Sequence, residues 1–326
     1  MVTTEAGTAI GADGRLRRYD DVRQLLPSVA NPTPLVRVNR VLPEAELYLK
    51  LEWLNPFGSI KDRTANYLLA GLIERGELDG RAIVEATSGN TGVALAALAA
   101  LLGTEVTVTI PDGVPEEKKT LLRMLGAEVW ETPDDLCPAD YPKDGAIALA
   151  RSLVESAGGE RYVMPNQYAN ADNVKAHYET TGPEIWEQTE GRVRYFLAGL
   201  GTAGTITGVG TFLKEQNPEV QIIAIEPQPG HRLPGLKNLE EASTPEIMDR
   251  SVIDQIIRVD DGPAYQMTKR LFREEALIVG PSTGAVVWAA GQLGDQGLAV
   301  GISADSGLKY LSYFAEMIDD EDSTQT

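Results

Sequence analysis

An α/β protein with two doubly wound, mainly parallel sheets is expected from three observations. Apolar strand-like segments alternate with helix-like segments along most of the chain, as in a parallel sheet that is covered by helices on both faces. Loops rich in glycine and hydroxyl residues follow several of the strand-like segments directly and precede helices. The length of 326 residues is sufficient for two compact lobes, each with its own core.

The predicted elements support this division into two lobes. Strands are predicted at residues 47–53, 81–86, 105–110, 128–131, 162–164, 195–198, 221–225, 276–279 and 298–303. Helices are predicted at residues 64–75, 93–102, 116–125, 146–156, 183–189, 206–216 and 264–275, and from residue 284. We expect a smaller domain over residues 48–164, a larger domain over residues 1–47 plus 165–318, and an acidic tail over residues 319–326.

The composition excludes several classes of partner. The net charge is −19, with 48 acidic and 29 basic residues spread along the chain, so the surface repels nucleic acid and anionic membranes. The longest apolar stretch, residues 93–102, covers about half a membrane span, and the first 20 residues carry charges where a signal peptide needs an apolar run. We therefore expect a soluble, cytoplasmic protein.

Cysteine and histidine are too scarce for a metal centre built from them. The chain has one cysteine, Cys137, and two histidines, His177 and His231. A disulfide within the chain is impossible, and a Cys/His zinc site lacks ligands, so no metal is expected. Cys137 is interpreted as an incidental loop residue, because no neighbouring base activates it.

Lys61 is the first candidate for chemistry, in the segment NPFGSIKDR of residues 55–63. Pro56 and Gly58 end the preceding strand, which places Lys61 at the start of a helix. The helix dipole favours anions there, so the ammonium form is disfavoured and the amine is suited to attack a carbonyl group. Taken alone, a lysine is far more often a solvated surface residue, and only the loops further along the chain favour the chemical interpretation.

A phosphate site is predicted at the loop GLGTAGT of residues 199–205. A strand leads into the loop and a helix leads out, so backbone N–H groups and the hydroxyls of Thr202 and Thr205 can hold a phosphate. The loop also fits G-x-G-x-x-G, with Glu226 about 20 residues further on, which is typical of dinucleotide binding in an NAD-dependent dehydrogenase. A glycine turn kept only for close packing is a third interpretation.

Two further loops have the same setting between a strand and a helix. Residues 87–92, TSGNTG, offer hydroxyls, an amide and free N–H groups that suit a carboxylate, beyond what a helix cap alone requires. Residues 280–285, GPSTGA, place Ser282 at a helix start, where it could act only as a cap. Because such loops meet at the carboxyl edge of a doubly wound sheet, we expect one composite site.

Together these loops resemble the fold-type II, tryptophan synthase β-like family of pyridoxal 5′-phosphate enzymes. Within that family they are similar to the branch of cysteine synthase (O-acetylserine sulfhydrylase) and cystathionine β-synthase. The resemblance runs from NPTPLV at residues 31–36 to DSG at residues 305–307, with the motifs in the family's order. It implies that the larger domain binds the cofactor phosphate and that the smaller domain is mobile.

The resemblance also implies roles for individual residues. Lys61 corresponds to the lysine that forms a Schiff base with the cofactor, Asn90 to the residue that bonds the cofactor 3′-oxygen, and Ser282 to the serine at the pyridine nitrogen. A neutral hydroxyl at that nitrogen favours β-elimination. The implied phosphate-binding residues are Gly201, Thr202, Ala203, Gly204 and Thr205, and the implied substrate-binding residues are Thr87, Ser88, Asn90, Thr91 and Gln167.

Ala203 departs from the family pattern, because many members carry glycine at this position. We expect the extra methyl group to be tolerated on condition that the backbone of Ala203 is not left-handed.

By the resemblance, the expected activity is that of a cysteine synthase, a transferase/lyase that converts O-acetyl-L-serine and sulfide to L-cysteine. An O-phosphoserine sulfhydrylase and a cystathionine β-synthase remain alternatives. His231, Arg232 and Lys237 lie in the irregular stretch that approaches the substrate in similar proteins, and they could select a phosphate leaving group. The dehydrogenase alternative and a non-catalytic scaffold leave Lys61 and residues 87–92 without a task. The family resemblance further implies a homodimer.

Overall fold

Two sheets organise the computed structural model, which describes residues 18–87, 89–133, 145–156, 158–294 and 297–315. The first sheet has the strand order β1-β2-β10-β7-β8-β9, and the second has the order β5-β4-β3-β6. The strands are β1 Leu35–Arg37, β2 Leu47–Leu51, β3 Ala82–Ala86, β4 Val106–Pro111, β5 Glu128–Thr132, β6 Tyr162–Val163, β7 Tyr195–Gly199, β8 Gln221–Pro227, β9 Gln255–Val259 and β10 Ala299–Ser303. Only β1 pairs antiparallel, with β2, among the named strands. The predicted α/β class with mainly parallel sheets is confirmed.

Helices connect the parallel strands. They are α1 Lys61–Glu74, α2 Asn90–Leu102, α3 Glu116–Met124, α4 Ala146–Ser156, α5 Asp172–Ala176, α6 Gly182–Gln188, α7 Gly204–Gln216, α8 Asp261–Glu275 and α9 Pro281–Ala290. A π-helical segment, His177–Thr181, joins α5 to α6, so residues 172–188 form one nearly continuous helical stretch. None of the helices in the described part of the chain is both long enough and apolar enough to cross a membrane.

Each sheet is buried on both faces, as parallel sheets are. In β7, Leu197 packs into one core of the six-stranded sheet, while its neighbours Phe196 and Ala198 pack into the core on the opposite face. In β3 of the four-stranded sheet, Ile83 and Val84 likewise belong to different cores. This alternation with a period of two follows from the pleat of the strands.

A buried network of four charged side chains ties β2 to the start of α1 and to α6. Arg63 donates to Glu52 at 2.8 Å and to Glu184 at 2.5 Å, and the ammonium of Lys50 lies 2.6 Å from Glu184. All four side chains are 0% exposed. Each charge has an opposite partner, which is the condition under which buried charges are tolerated. Because Arg63 follows Lys61 by two residues, the network fixes the first turn of α1.

The structure differs from the sequence-based prediction in several details. The boundary predicted at residue 48 does not follow the sheets, because β2 pairs with β10 and so belongs to the six-stranded sheet. The strand predicted at residues 276–279 is wrong: Ala276 ends α8 in a left-handed conformation, and Val279 forms only an isolated bridge with Ser306. The edge strand β9 was not predicted; it pairs with β8 in parallel.

Candidate active site

A cleft at the carboxyl ends of the strands brings together residues that are distant in the sequence. The predicted site residues that line it are Lys61, Thr87, Asn90, Thr91, Gln167, Gly201, Thr202, Ala203, Thr205 and Ser282. Gly204 is not part of the lining, although it begins helix α7 directly beside it. Ser88 lies outside the described residues, as does Cys137.

Lys61 opens helix α1 and presents its amine to the cleft. No carbonyl or carboxylate oxygen in the described part of the chain accepts a hydrogen bond from this amine. Desolvation lowers the pKa of Lys61 to about 8, and the negative charge of Asp305 opposes only part of that shift. The amine is therefore a stronger candidate for covalent chemistry than a solvated lysine.

The loop before helix α7 provides neutral donors at a helix start. The hydroxyl of Thr202 accepts a hydrogen bond from Asn173 at 3.0 Å, and the hydroxyl of Thr205 lies 3.3 Å from Nε2 of His177. A Cβ atom at Gly201 would lie 2.9 Å from the carbonyl oxygen of Gly235, so a side chain has no room there. Asn173, His177 and Gly235 thus contact the loop from one side. The backbone N–H groups at the start of α7 are suited to bind an anion.

The backbone of Ala203 is left-handed, with φ of 66° and ψ of −2°. The condition under which its methyl group was expected to be harmless is therefore not met. For a residue other than glycine, this conformation costs roughly 1–2 kcal/mol. This strained residue is the cap of α7, and the N–H groups of the first turn of the helix follow it directly.

The loop after β3 is joined to a glutamine from another segment. Thr91 donates a hydrogen bond to Oε1 of Gln167 at 2.6 Å, and Nε2 of Gln167 donates to the carbonyl of Ala86 at 3.2 Å. Thr87 accepts the N–H of Gly89 at 3.1 Å. Helix α2 begins at Asn90, so this loop combines hydroxyls and amides with a helix N-terminus, a combination that suits a carboxylate.

Asn173 connects three parts of the site, and the sequence analysis missed it. Its Nδ2 donates to the carbonyl of Gln167 at 2.8 Å as well as to Thr202, and its Oδ1 accepts from Thr64 of α1 at 3.0 Å. The side chain is fully buried. Sequence reasoning had only the position of Asn173 between the two lobes, which carries no chemical signal.

His177 contacts the loop before helix α7 as a neutral ring. Its Nδ1 lies 2.9 Å from the hydroxyl of Thr181, and its Nε2 lies 3.4 Å from Thr64 and 3.3 Å from Thr205. Desolvation lowers the pKa of His177 to about 3, and the positive charges of Lys61 and Arg63 add to this effect. The imidazole is therefore uncharged at neutral pH. The sequence analysis considered His177 only as a possible metal ligand, and nothing in the sequence indicated this contact with the loop before α7.

Asn90 is fixed at both ends of its amide. Nδ2 donates to Asp305 at 2.6 Å, and Oδ1 accepts from the ammonium of Lys309 at 3.0 Å. The Tyr310 hydroxyl donates to the same carboxylate of Asp305. Residues 305–310, which follow β10 of the six-stranded sheet, therefore hold a side chain of α2, the helix that follows β3 of the four-stranded sheet.

Of the three basic residues singled out in the irregular stretch, only Lys237 lines the cleft. Its ammonium lies 4.3 Å from the ring centre of Tyr168. Arg232 is exposed, and Nδ1 of His231 accepts the N–H of Leu233 at 3.1 Å. The acid of the dinucleotide interpretation, Glu226, accepts hydrogen bonds from Leu239 and Arg258 at 2.9 Å each, so it holds the fold together.

These residues fit pyridoxal 5′-phosphate. The cofactor requires an amine for its aldehyde, an anion site for its phosphate and a suitable group near its ring nitrogen. The cleft offers the amine of Lys61, the start of α7 with two threonine hydroxyls, and Ser282 on α9. No group of three or more potential His, Cys, Asp or Glu ligands for a metal occurs among the described residues.

Comparisons with known proteins agree with this fit. The family model described as pyridoxal-phosphate dependent enzyme matches residues 27–303. The cysteine synthase of Aquifex aeolicus is 41% identical over 308 residues, covering 90% of this chain and 92% of the relative. The crystal structure of O-ureido-L-serine synthase with bound O-ureido-L-serine aligns with a TM-score of 0.82 and 33% identity, covering 91% of this chain and 93% of the other.

A cysteine synthase structure from Entamoeba histolytica aligns with a TM-score of 0.81 and 29% identity, over 94% of this chain and 93% of the other. The family match spans most of the chain and includes every lining residue of the cleft except Ala304, Asp305 and Tyr310. On these grounds the chain belongs to the family of pyridoxal-phosphate-dependent enzymes.

Proposed function

We propose that this enzyme is a cysteine synthase, which replaces the β-acetoxy group of O-acetyl-L-serine with sulfide to give L-cysteine and acetate. The observation that carries the proposal is the position of the Lys61 amine in one cleft with the starts of α2 and α7. One helix start serves the substrate carboxylate and the other serves the cofactor phosphate. The name of the Aquifex aeolicus relative supports the choice of reaction.

The cofactor would be held by residues of both sheets. Lys61 would bind it covalently, residues 201–205 would hold its phosphate, and Asn90 and Ser282 would contact its ring. When bound, pyridoxal phosphate supplies an electron sink that stabilises negative charge at the substrate α-carbon. The uncharged Ser282 hydroxyl keeps that sink weak, which favours loss of a β-substituent over other fates.

The substrate carboxylate would lie in the loop after β3. Thr87, Ser88, Asn90 and Thr91 would surround it, with Gln167 closing the other side. The hydrogen bond from Thr91 to Gln167 already brings these two groups together, so little side-chain entropy remains to be lost on binding.

Once the amino group of the substrate has taken its place on the cofactor, the freed amine of Lys61 would serve as the proton carrier. With a pKa lowered to about 8, an appreciable fraction of its amine is uncharged near neutral pH and can remove the α-proton of the bound substrate. The β-carbon–oxygen bond breaks and acetate leaves with the bonding electrons. The sulfur of sulfide then bonds to the β-carbon, and Lys61 returns a proton to the α-carbon.

O-phosphoserine as donor and homocysteine as acceptor are the alternatives. Lys237 on the cleft wall gives the phosphate ester its support, because an ammonium group would favour a phosphate leaving group over acetate. Among the described lining residues of the cleft, we identify none that specifically favours homocysteine as the acceptor.

The proposal also includes a homodimer in the cytoplasm. Its basis is the resemblance to the cysteine synthase branch, together with an acidic surface of net charge −19 that keeps a protein soluble. Light scattering after size-exclusion chromatography measures the oligomeric state directly.

Steady-state kinetics test the reaction. The pyridoxal-phosphate-loaded enzyme is given O-acetyl-L-serine, O-phospho-L-serine, or L-serine with homocysteine, and the products are quantified. We expect L-cysteine from O-acetyl-L-serine and sulfide with the highest kcat/KM. Lys61→Ala should lose more than about 1000-fold in kcat while retaining the wild-type circular dichroism spectrum. A higher specificity constant for the phosphate ester would reverse the choice of donor, and no cysteine from either ester would refute the proposal.

A further inference from the structure

A lysine on helix α3, Lys118, lies on the wall of the same cleft. Lys118 contributes to the lining, and its ammonium lies 4.4 Å from the ring centre of Tyr310. Within the described ranges, no oxygen accepts a hydrogen bond from this ammonium. Its neighbour Lys119 is different, since it donates to the carbonyl of Asp112 and to Glu131. Lys118 is thus held in place through its stem and a ring face, and its donors remain available.

The stem of Lys118 lies against the loop that we assign to the substrate carboxylate. A Cβ atom built on Gly89 would be 3.1 Å from Cδ of Lys118 and 3.9 Å from both Cγ and Cε. Gly89 directly precedes helix α2 and has a φ of 138°, so no side chain separates the two segments. The methylene groups of Lys118 therefore pass over the start of α2 and place the ammonium next to this loop.

The loop itself lacks a countercharge. Its donors are hydroxyl groups, amides and backbone N–H groups, all of them neutral. Asp305 is the only carboxylate among the described residues of the lining, and it is already engaged by Asn90 and Tyr310. A substrate carboxylate entering this cleft would lose water and meet a nearby negative charge, which is unfavourable without a cation.

The other lysines around the cleft have different environments. Lys309 donates to Asn90 and to the carbonyl of Phe57, and Lys237 lies over Tyr168. Lys61 is assigned to the cofactor. This leaves Lys118 as the cation whose stem crosses the carboxylate loop.

We propose that Lys118 is a specificity residue of the substrate site, which pairs with the α-carboxylate of the amino-acid substrate. The assignment rests on the proposed function for the location of that carboxylate. It adds a charged member to a clamp whose other members are neutral. Desolvation lowers the pKa of Lys118 to about 8, so the side chain is still mainly protonated at pH 7.

The test compares two ligands that differ only at the carboxylate. The pyridoxal-phosphate-loaded enzyme is titrated with L-serine and with L-serinamide, and binding is followed by the visible absorbance of the bound cofactor. Lys118→Met retains an apolar stem over Gly89 and Tyr310 but removes the charge. We expect the Kd of L-serine to rise about 10- to 100-fold, the range for loss of a charge-assisted hydrogen bond, and that of L-serinamide to change less than about twofold.

Two further variants serve as controls. Lys118→Arg should restore L-serine binding to within about threefold of the wild type, because it restores the charge. Lys175→Met removes one positive charge from an exposed position outside the cleft, where the ammonium lies 3.9 Å from Glu179. It should leave both dissociation constants unchanged, which excludes an effect of net charge alone.

The outcomes separate this inference from the proposed function. If the wild type prefers L-serine to L-serinamide and Lys118→Met retains that preference, the role of Lys118 is refuted while the neutral clamp stands. A parallel titration with O-phospho-L-serine covers the leaving group: if Lys118→Met weakens the binding of this ester alone, Lys118 contacts the leaving group and the assignment to the α-carboxylate is wrong. A wild type without any preference would refute the carboxylate loop itself, and Lys118 with it. Failure to form cysteine, with the ligand preference intact, would affect only the proposed reaction.

Discussion

The carboxylate of Glu85 accepts a hydrogen bond from the backbone N–H of Gln167 at 3.1 Å. Its second oxygen accepts the N–H of Asn166 at 2.8 Å, and Asn166 has a left-handed backbone with a φ of 55°. Glu85 is fully buried in β3. Desolvation raises the pKa of this carboxyl to about 7, although both N–H groups favour its ionised form. Glu85, a buried acid in β3 of the four-stranded sheet, therefore holds the turn that carries Gln167.

Replacing Glu85 with glutamine is expected to loosen this turn. The amide NH2 group cannot accept a hydrogen bond, so one of the two backbone N–H groups loses its partner at a cost of about 1–3 kcal/mol. Gln167 should then be less well placed, and the Kd of L-serine should rise. Urea unfolding measures the first effect and ligand titration the second. Unchanged values in both experiments would show that Glu85 does not position Gln167.

The same variant makes the titration of Glu85 measurable. Because the folded-state pKa is raised from 4.5 to about 7, the stability linked to this group is fully present below pH 4.5 and is lost as the pH rises through 7. That loss amounts to roughly 3 kcal/mol. We expect the stability advantage of the wild type over Glu85→Gln to be larger at pH 5 than at pH 8. A difference that is independent of pH, or that grows with pH, would contradict the raised pKa.

The buried charge network predicts a large effect for Arg63→Met. The substitution leaves the carboxylates of Glu52 and Glu184 without their guanidinium partner, which typically costs about 3–5 kcal/mol. The first turn of α1 should also loosen, so that less pyridoxal phosphate is retained after gel filtration. Arg75→Met is the matched control, because the side chain of Arg75 is 43% exposed and its ion pairs with Glu77 and Asp172 lie near the surface. It should cost less than about 1 kcal/mol. Similar losses in the two variants would argue against a structural role of the buried network.

Ala203→Gly is expected to stabilise the protein slightly. Relief of the left-handed conformation gains roughly 1–2 kcal/mol, and the greater freedom of glycine in the unfolded chain takes back about 0.4–1 kcal/mol. The midpoint of thermal unfolding should therefore rise by a few degrees, with cofactor affinity maintained. For comparison, Ala100→Gly near the end of α2 replaces an exposed helical alanine and should lower stability by up to about 1 kcal/mol. A fall in stability at residue 203 would mean that its methyl group makes contacts worth more than the strain.

The sequence predicted the elements whose boundaries are set locally. Helix α4 was predicted with its observed bounds, and β3 to within one residue, because in the sequence each apolar run is flanked by polar or small residues. The edge strand β9 was missed since a five-residue segment with three exposed side chains becomes a strand only through its pairing with β8. The strand predicted after α8 is wrong because Ala276 adopts the left-handed conformation at the end of the helix. An alanine in the sequence does not indicate this conformation, which is typical of glycine.

The site was predictable where a loop has its own chemical pattern. Lys61 and the loops around Asn90, Thr202 and Ser282 follow strands or begin helices, and the parallel arrangement brings them to one edge. The supporting side chains carry no such local signal. The hydrogen bonds that bring them into the site reach far along the chain: from Asn173 to Thr202, between His177 and Thr205, and from Asn90 to Asp305. Lys118 likewise meets the ring of Tyr310, which comes much later in the sequence.

Helix α1 has one end in each core. Ile60, just before the helix, packs into a core of the six-stranded sheet, and its N–H donates to the carbonyl of Ala304 at 2.8 Å. Ala65 and Leu69, further along, pack into the core of the four-stranded sheet. Lys61 therefore lies where the half of the molecule built on the six-stranded sheet meets the half built on the four-stranded sheet. If one half rotated against the other about this point, the entrance would widen or narrow while the Lys61 nitrogen moved least, so access for the substrate would change more than alignment for chemistry.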